Sequence, residues 1–344
     1  MKLSEFLAAY LPLVEREMRE VLAPPDASLA GHYDMLQYHM GWLDAELRPR
    51  GGPGGKRIRP ALCLLCCVAC GGDPAQAVAG AAALELLHNF SLLHDDIEDN
   101  SLTRRHRPTV WALFGLPQAC NAGDAMFSLA HRTLFGLADR GLAAGQVLQV
   151  IRVVDDMCVA LTEGQYLDLS FEGRLDVSEE EYVRMVAGKT AAMLAAAAQT
   201  GAIIAGAGPA AVAALRRAGW ALGMAFQFQD DVLGIWGAED VTGKSAASDI
   251  LSKKKSLPVL HALASPRSGP ELRARYAGRP FTEDDVPGVL ELLDAAAARA
   301  YSETRARQAS EGARQALRDA GLPLAGAAEA PLHELLDELL VRQA

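Results

Sequence analysis

The segment HDDIEDNSLTRRHRP (residues 94–108) places acidic and basic side chains close together. The carboxylates are Asp95, Asp96, Glu98 and Asp99, and the guanidinium groups are Arg104, Arg105 and Arg107. In a helix, Asp95 and Asp99 share one face and are separated by a rise of about 6 Å. Carboxylates with that spacing can hold hard divalent cations, which keep several water ligands. The alternative is a solvated helix end favoured by the helix dipole.

A second acidic pair lies in FQFQDDVLG (residues 226–234), where Gln227, Asp230 and Asp231 again share a helix face. Basic side chains recur at GGKRIRP (54–60), GKT (188–190) and TGKSAASDILSKKK (242–255). Carboxylates that bind magnesium, together with Arg and Lys, are typical of a diphosphate site. We expect two acidic clusters on facing helices to form a polar mouth above an apolar interior.

The elements that position these groups are predicted to be helices in one all-α domain covering residues 1–344. Of the 344 residues, 50% are hydrophobic, and alternating strand patterns are nearly absent. Apolar residues at helical spacing predict an amphipathic first helix, and breaks are predicted at GGDP (71–74) and GAGP (206–209). FTEDDVPG (281–288) opens a further helix, because Thr282 and Asp285 resemble a capping box.

Composition excludes several classes of protein. The net charge of −10 argues against a partner nucleic acid and against anionic membrane surfaces. The N-terminal stretch lacks the continuous apolar core of a signal peptide. The Ala- and Gly-rich run of residues 190–215 predicts closely packed core helices rather than a stable membrane insertion. We therefore expect a cytoplasmic protein, in which the thiols of CLLCCVAC (63–70) are buried core groups rather than zinc ligands.

Six segments, in this order, resemble the polyprenyl synthetase family of trans-type isoprenyl diphosphate synthases. They are GGKRIRP, LLHNFSLLHDDIEDNSLTRRHRPT, EGQYLD, GKT, FQFQDD and GKSAASDILSKKKSLP. The resemblance implies a single large helical bundle around a central apolar cavity, the isoprenoid synthase fold. It also implies a magnesium-dependent enzyme, with three ions when substrate is bound, that condenses isopentenyl diphosphate with an allylic diphosphate. A homodimer is implied as well.

The same resemblance implies roles for individual residues. The magnesium ligands would be Asp95, Asp96, Asp99 and Asp230. Catalytic roles are implied for Asp95, Asp99, Arg104, Lys189 and Asp230. Arg104 would hold the allylic diphosphate and Arg105 the isopentenyl diphosphate, whose site Lys56, Arg59 and His88 would complete. The allylic side would be lined by Lys189, Thr190, Gln227, Lys244 and Lys254, with Gln165 and Asp168 in a matching segment nearby.

Product length is predicted from the helix that carries the first acidic motif. Phe90 is bulky and lies five residues before Asp95, whereas Ser91 is small and lies four before it. The alternative for Phe90 is ordinary core packing. In the resembled family, an aromatic residue at only the earlier position, without an insertion in DDIED, goes with geranylgeranyl diphosphate. We therefore predict that product, with farnesyl diphosphate as the alternative.

Two departures from the family pattern stand out. Position 234 is Gly in DDVLG, where the family often has a third Asp, and position 106 is His, where it often has Gly. Gly234 motivates a different alternative, a non-catalytic partner subunit, although such subunits usually lose the first acidic motif. A terpene cyclase is disfavoured, because none of the three Asn has the spacing that its second motif requires. A head-to-head condensing enzyme would not need GGKRIRP.

Overall fold

The structure, a computed structural model, describes residues 2–50, 55, 57–237, 247–321 and 329–340. It confirms the all-α prediction. The α-helices are α1 (Leu3–Val21), α2 (Ala30–His39), α3 (Ile58–Ala69), α4 (Val78–Glu98), α5 (Val110–Phe114), α6 (Leu116–Leu134), α7 (Gly136–Asp139), α8 (Ala144–Phe171), α9 (Glu179–Val186), α10 (Ala192–Ile204), α11 (Pro209–Trp236), α12 (Ser248–Leu251), α13 (Leu257–Ala264), α14 (Gly269–Ala277), α15 (Val286–Ala295), α16 (Ala298–Asp319) and α17 (Glu329–Leu340). Shorter helical turns are Ala27–Leu29, Ala187–Ala191 and Glu283–Asp285.

The only strands in the described ranges are β1 (Thr103–Arg104) and β2 (Arg107–Pro108), which pair antiparallel. The chain divides into two compact units. The first is built chiefly from Met1–Val154 and Ala197–Val212, and the second chiefly from Asp155–Ala196 and Ala213–Gly321. A single domain over residues 1–344 stays a prediction.

The first unit contains the segments in which the sequence predicted core helices. In α1, the apolar residues Leu3, Phe6, Val14 and Met18 are buried, which confirms the amphipathic pattern. Helix α10 crosses α3 so closely that a Cβ on Gly201 would lie 2.1 Å from the carbonyl oxygen of Cys63. The thiols of Cys63, Cys66 and Cys67 are buried there, which confirms that they are core groups, whereas Cys70 at the end of α3 is only half-buried.

Helix ends agree with the breaks that were predicted at the segments rich in Gly and Pro. Helix α3 ends before GGDP, and α11 begins at Pro209, the last residue of GAGP. The Thr282 amide donates to Asp285 Oδ2 at 2.8 Å, which confirms the capping box, although a single 3₁₀ turn precedes α15. Within the described ranges, no helix combines the length and apolarity needed to cross a membrane.

The second unit has its own apolar core. Its members include Tyr182 from α9, Phe228 from α11 and Leu257 from α13. Rings of Tyr182 and Phe228 stack with centroids 6.4 Å apart, so α9 and α11 are held together beside the second acidic pair. This packing places the hydroxyl group of Tyr182 within the site described below.

Candidate active site

The first acidic motif forms the C-terminal end of α4. Asp95 and Asp96 lie in its last turn, and the Asp99 amide donates to the Asp95 carbonyl at 2.9 Å, so the predicted one-turn spacing is present. A helix C-terminus carries partial negative charge, which disfavours carboxylates there. The helix dipole therefore does not explain this cluster, contrary to the alternative considered from sequence, and the carboxylates need cations nearby.

Arg104 is one such cation. Its Nε donates to Asp96 Oδ1 at 2.6 Å and its Nη2 donates to Asp95 Oδ2 at 3.0 Å. The Asp96 side chain is only 2% exposed, and burial raises the pKa of that carboxyl group to about 6 although Arg104 opposes the shift. Its other oxygen, Oδ2, is buried and has no hydrogen-bond partner in the described part of the chain. An oxygen of that kind fits a hard divalent cation or its water.

The β1–β2 hairpin presents Arg104 and Arg105. Its two connecting residues, Arg105 and His106, have φ angles of 51° and 59°. Such a turn follows the twist of the strands but costs roughly 1 kcal/mol for each residue other than glycine. This conformation gives a physical reason why glycine is often found at position 106 in the resembled family. His106 is exposed, so its imidazole is accommodated without a clash in the core.

Arg107 anchors the hairpin to α2 and the following loop. Its Nη1 donates to the Tyr38 carbonyl at 3.1 Å, and its Nη2 donates to the Leu43 carbonyl at 2.6 Å. The guanidinium lies 4.1 Å from the centroid of the Tyr38 ring, whose hydroxyl donates to the Pro108 carbonyl at 2.7 Å. Arg107 is therefore a structural residue that fixes where its neighbour Arg104 lies.

A basic wall lies in the same unit. Burial lowers the pKa of His88 well below its usual value, and the positive charges of Arg59 and Arg105 lower it further. Burial also lowers the pKa of Arg59 and of Arg105, which are within electrostatic reach of each other. A Cβ on Gly55 would lie 3.6 Å from the Arg105 guanidinium, so Gly55 of GGKRIRP lies beside Arg105. Three of the predicted isopentenyl diphosphate residues are therefore neighbours.

Sequence reasoning missed the ion pair that supports this wall. Arg57, in a left-handed conformation with φ 48°, donates to Glu85 Oε1 at 2.8 Å and to Glu15 Oε2 at 3.1 Å. Arg57 and Glu85 are both buried. In the sequence, this ion pair was indicated by a single Glu within the otherwise apolar N-terminal part of α4. Lys56, beside Arg57, lies outside the described residues.

The predicted length-determining residues lie on α4 before Asp95. The Phe90 ring packs edge-on against the rings of His94 and Phe127, with both centroid distances 5.0 Å. Ser91 Oγ donates to the His88 carbonyl at 2.8 Å. Phe90 thus has aromatic neighbours on α4 and α6. The length-determining roles of Phe90 and Ser91 stay predictions.

In the second unit, Asp231 is the structural member of its acidic pair. Asp231 is fully buried and accepts hydrogen bonds from the Tyr182 hydroxyl, from the Leu257 amide at 2.8 Å and from Gln227 Nε2 at 3.0 Å. Burial raises the pKa of Asp231 to about 6. Asp230, half-buried and next to it, is the member whose role as a metal ligand stays a prediction.

Lys254 lies between two buried carboxylates. Its Nζ is 4.0 Å from Asp231 Oδ1 and 3.7 Å from Asp249 Oδ2. Burial alone would lower the pKa of Lys254, but Asp249 and Asp231 raise it, and the net direction is upward. The ammonium group therefore stays charged. The sequence did not identify Asp249 as a site residue. The available indication was its position five residues before Lys254.

Gly234 makes room for Asp249. A Cβ on Gly234 would lie 2.5 Å from Asp249 Oδ2, closer than any ordinary contact. DDVLG lacks a third Asp, and the carboxylate of Asp249 on α12 lies next to position 234 instead. Lys244, also predicted for this side, lies outside the described residues.

A glycine contact between α8 and a single π-helical turn positions Lys189. A Cβ on Gly164 of α8 would lie 2.2 Å from the amide nitrogen of Lys189, and one on Gly188 would lie 2.4 Å from the Ala160 carbonyl. Lys189 Nζ donates to Asp168 Oδ2 at 2.5 Å. The turn covers Ala187–Ala191, and turns of this kind are frequent at functional sites.

The remaining allylic-side residues are connected through hydrogen bonds. Thr190 Oγ1 donates to Gln227 Oε1 at 2.9 Å, and Gln227 in turn donates to Asp231. The structure therefore brings Lys189, Thr190, Gln227, Asp230 and Lys254 onto one connected set of elements within the second unit. The acids of α4, the hairpin arginines and the basic wall form a corresponding set within the first.

Comparison with known proteins agrees with the resemblance that the sequence motifs indicate. The polyprenyl synthetase family profile matches residues 42–293. A (2E,6E)-farnesyl diphosphate synthase of Mycobacterium tuberculosis is 38% identical over 335 residues, which cover 94% of this chain and 91% of that protein. A geranylgeranyl diphosphate synthase of the same species is 40% identical over 311 residues, covering 90% and 86%.

A solved structure extends the similarity to the fold. The polyprenyl synthetase from Streptomyces coelicolor A3(2) superposes with a TM-score of 0.88 at 37% identity, covering 99% of this chain and 100% of that one. The predicted isoprenoid synthase fold is thereby confirmed.

Proposed function

Because the chain belongs to the polyprenyl synthetase family and is an isoprenyl diphosphate synthase, a prenyltransferase, we propose that it makes geranylgeranyl diphosphate in a magnesium-dependent reaction. The substrates are isopentenyl diphosphate and an allylic diphosphate, either dimethylallyl, geranyl or farnesyl diphosphate. The observation that carries this proposal is the acidic end of α4, where Arg104 contacts two carboxylates beside the wall formed by Arg59, His88 and Arg105.

The reaction joins the substrates head to tail. The allylic C–O bond breaks and leaves a carbocation and a diphosphate anion. The double bond of isopentenyl diphosphate attacks the cation and forms the new C–C bond, and a proton then leaves to the released diphosphate as the new double bond forms. No nucleophilic side chain is required, so catalysis depends on positioning and on charge stabilisation.

Magnesium, when bound, would neutralise the leaving diphosphate. The residues present fit that ion, because Asp95, Asp96 and Asp99 offer hard oxygen donors and Asp96 Oδ2 is buried without a partner in the described ranges. We assign Asp230 to a third ion. By resemblance, Arg104 in the first unit and Lys189 and Lys254 in the second are assigned to the allylic diphosphate as positive charges, and Thr190 and Gln227 are assigned to the same substrate.

The basic wall is assigned to isopentenyl diphosphate. Arg59 and Arg105 bring guanidinium groups, which bind phosphate oxygens in bidentate geometry. His88, whose pKa is held low, is neutral at physiological pH and acts as a hydrogen-bonding group rather than as a charge. Lys56 is assigned to the same diphosphate by resemblance.

We also propose that the enzyme is a cytoplasmic homodimer. Large apolar side chains are exposed in the first unit, including Leu116 (56%), Phe135 (61%) and Leu148 (66%). We assign these side chains to the surface that a second subunit would cover in the homodimer that the family resemblance implies. All six cysteines are free thiols, as is usual in a reducing compartment.

Removal and return of the metal test the proposal. The purified chain is assayed with isopentenyl and farnesyl diphosphates after treatment with EDTA, and again after magnesium is restored. We expect turnover to stop and then recover. Turnover that persists in EDTA would overturn the metal dependence. A folded chain that is inactive with magnesium, but active once a second subunit is added, would establish the non-catalytic alternative.

A further inference from the structure

Three side chains of the types that transition metals prefer lie together on α4 and α6. His94 comes from α4, while Cys120 and Asp124 lie one turn apart on α6. One ligand atom from each residue lies within 4.8 Å of the other two. None of these three side chains takes part in the proposed condensation, so a metal site here can be tested independently of that reaction.

Gly123 creates the space in which the imidazole of His94 lies. A Cβ at this position would be 2.2 Å from His94 Nε2, so any larger residue would displace the ring from α6. The ring also makes an edge-on contact with the ring of Phe90, with centroids 5.0 Å apart. The imidazole is therefore placed between Cys120 and Asp124 by the packing of the two helices.

Among the residues that the structure describes, the Nε2 atom of His94 makes only long polar contacts. It is 3.5 Å from Asp124 Oδ1 and 3.4 Å from the Cys120 carbonyl oxygen, whereas hydrogen bonds from nitrogen to oxygen are normally about 2.7–3.2 Å long. A gap of this length between an imidazole nitrogen and a carboxylate can admit a cation that both groups ligate.

We propose that His94, Cys120 and Asp124 bind a divalent transition-metal ion such as zinc. A thiolate and an imidazole favour zinc or cobalt over magnesium, which prefers oxygen ligands. Zinc bonds of about 2.0–2.3 Å require donor atoms roughly 3.3–3.8 Å apart. Cys120 and Asp124 are both exposed, so rotation of their side chains can bring the donors to that spacing. Three protein ligands leave the fourth position for water.

Cobalt(II) is a suitable probe, because a thiolate ligand produces a charge-transfer band in the near ultraviolet. We expect this band to appear and to saturate when cobalt is added to the purified full-length chain, kept reduced without a chelating thiol, and to be lost when zinc displaces the cobalt. Cobalt bound only by the carboxylates of the condensation site gives no such band. Cys120→Ser should abolish the band. Cys70→Ser is the matched control and should leave it unchanged, because Cys70 caps the C-terminal end of α3 and is not a member of this cluster.

The other two ligands are tested by affinity. His94→Gln and Asp124→Asn should each weaken cobalt binding by at least about tenfold while the circular dichroism spectrum stays that of the unmodified chain. The proposal is overturned if a large excess of cobalt gives no thiolate band, or if Cys120→Ser retains the band. A His94→Gln chain whose thiolate band saturates at the same cobalt concentration as that of the original would also overturn it.

Discussion

The ring of Phe90 on α4 packs edge-on against the ring of Phe127 on α6, with centroids 5.0 Å apart. This contact lies five residues before Asp95, on the helix that ends in the first acidic motif. A chain that grows from the motif along α4 would meet the two rings together. Phe127 was not singled out from sequence, and its contact makes it a second candidate for closing the product pocket.

We therefore predict that Phe90→Ala and Phe127→Ala each lengthen the main product, because either truncation removes part of the same aromatic pair. Ser91→Phe should shorten it by adding a ring one position closer to Asp95. Products are separated by chromatography after enzymatic removal of the diphosphate. Trp220→Ala is the control, since Trp220 on α11 is 41% exposed and should not affect length. Unchanged products from folded, active Phe90→Ala and Ser91→Phe chains would place the pocket floor elsewhere.

The second prediction concerns metal binding by α4. Asp95→Ala should abolish turnover while leaving the fold intact, because Asp95 is partly exposed at a helix end and its loss creates no core cavity. The matched control is Asp156→Ala, which removes one member of an exposed Asp pair on α8 and should keep activity. Substantial turnover in a folded Asp95→Ala chain would contradict the assignment.

The two acidic motifs differ in how far they were foreseeable. The one-turn spacing of Asp95 and Asp99 follows from helix geometry, and the structure has it. The structural role of Asp231 could not be predicted from sequence, because its hydrogen-bond donors, the Tyr182 hydroxyl and the Leu257 amide, are 49 and 26 residues away in the chain. Local sequence patterns reveal helical periodicity, but they do not reveal contacts between residues that are far apart in the chain.

The hairpin illustrates the same limit. Its two strands contain only two residues each, so they leave no alternating pattern that could be detected in the sequence. The contacts of Arg104 with Asp95 and Asp96 depend on that hairpin and on its anchor Arg107, which bonds to backbone carbonyls more than 60 residues away. The charges were visible in the sequence, whereas their pairing depended on the fold.

The third prediction separates the two substrates. Arg59→Ala should raise the KM for isopentenyl diphosphate more than that for the allylic diphosphate, because Arg59 lies in the basic wall with His88 and Arg105. Loss of one charge-assisted contact should cost about 1.5–3 kcal/mol. Initial rates measured while each substrate is varied in turn give both constants. Equal changes in the two constants would refute the assignment of Arg59.

The fourth prediction concerns the departure at position 234. Gly234→Asp should lower stability by about 1–3 kcal/mol rather than improve activity, because the added carbons would meet Asp249 Oδ2 and place two carboxylates in contact. Chemical denaturation gives the free energy of unfolding. Gly145→Asp on α8 is the control, since a Cβ there meets nothing within 4 Å. A variant with unchanged stability and increased turnover would show that Asp249 does not occupy this space.

The most direct measurement is the product formed by the unmodified chain. Purified protein is supplied with isopentenyl diphosphate and, separately, with dimethylallyl, geranyl or farnesyl diphosphate, with and without magnesium, and the products are separated by chromatography. We predict that geranylgeranyl diphosphate is the main product from each starter and that it forms only with magnesium. Accumulation of farnesyl diphosphate without further elongation would contradict the product assignment. A folded chain that elongates none of the three starters in the presence of magnesium would contradict the account as a whole.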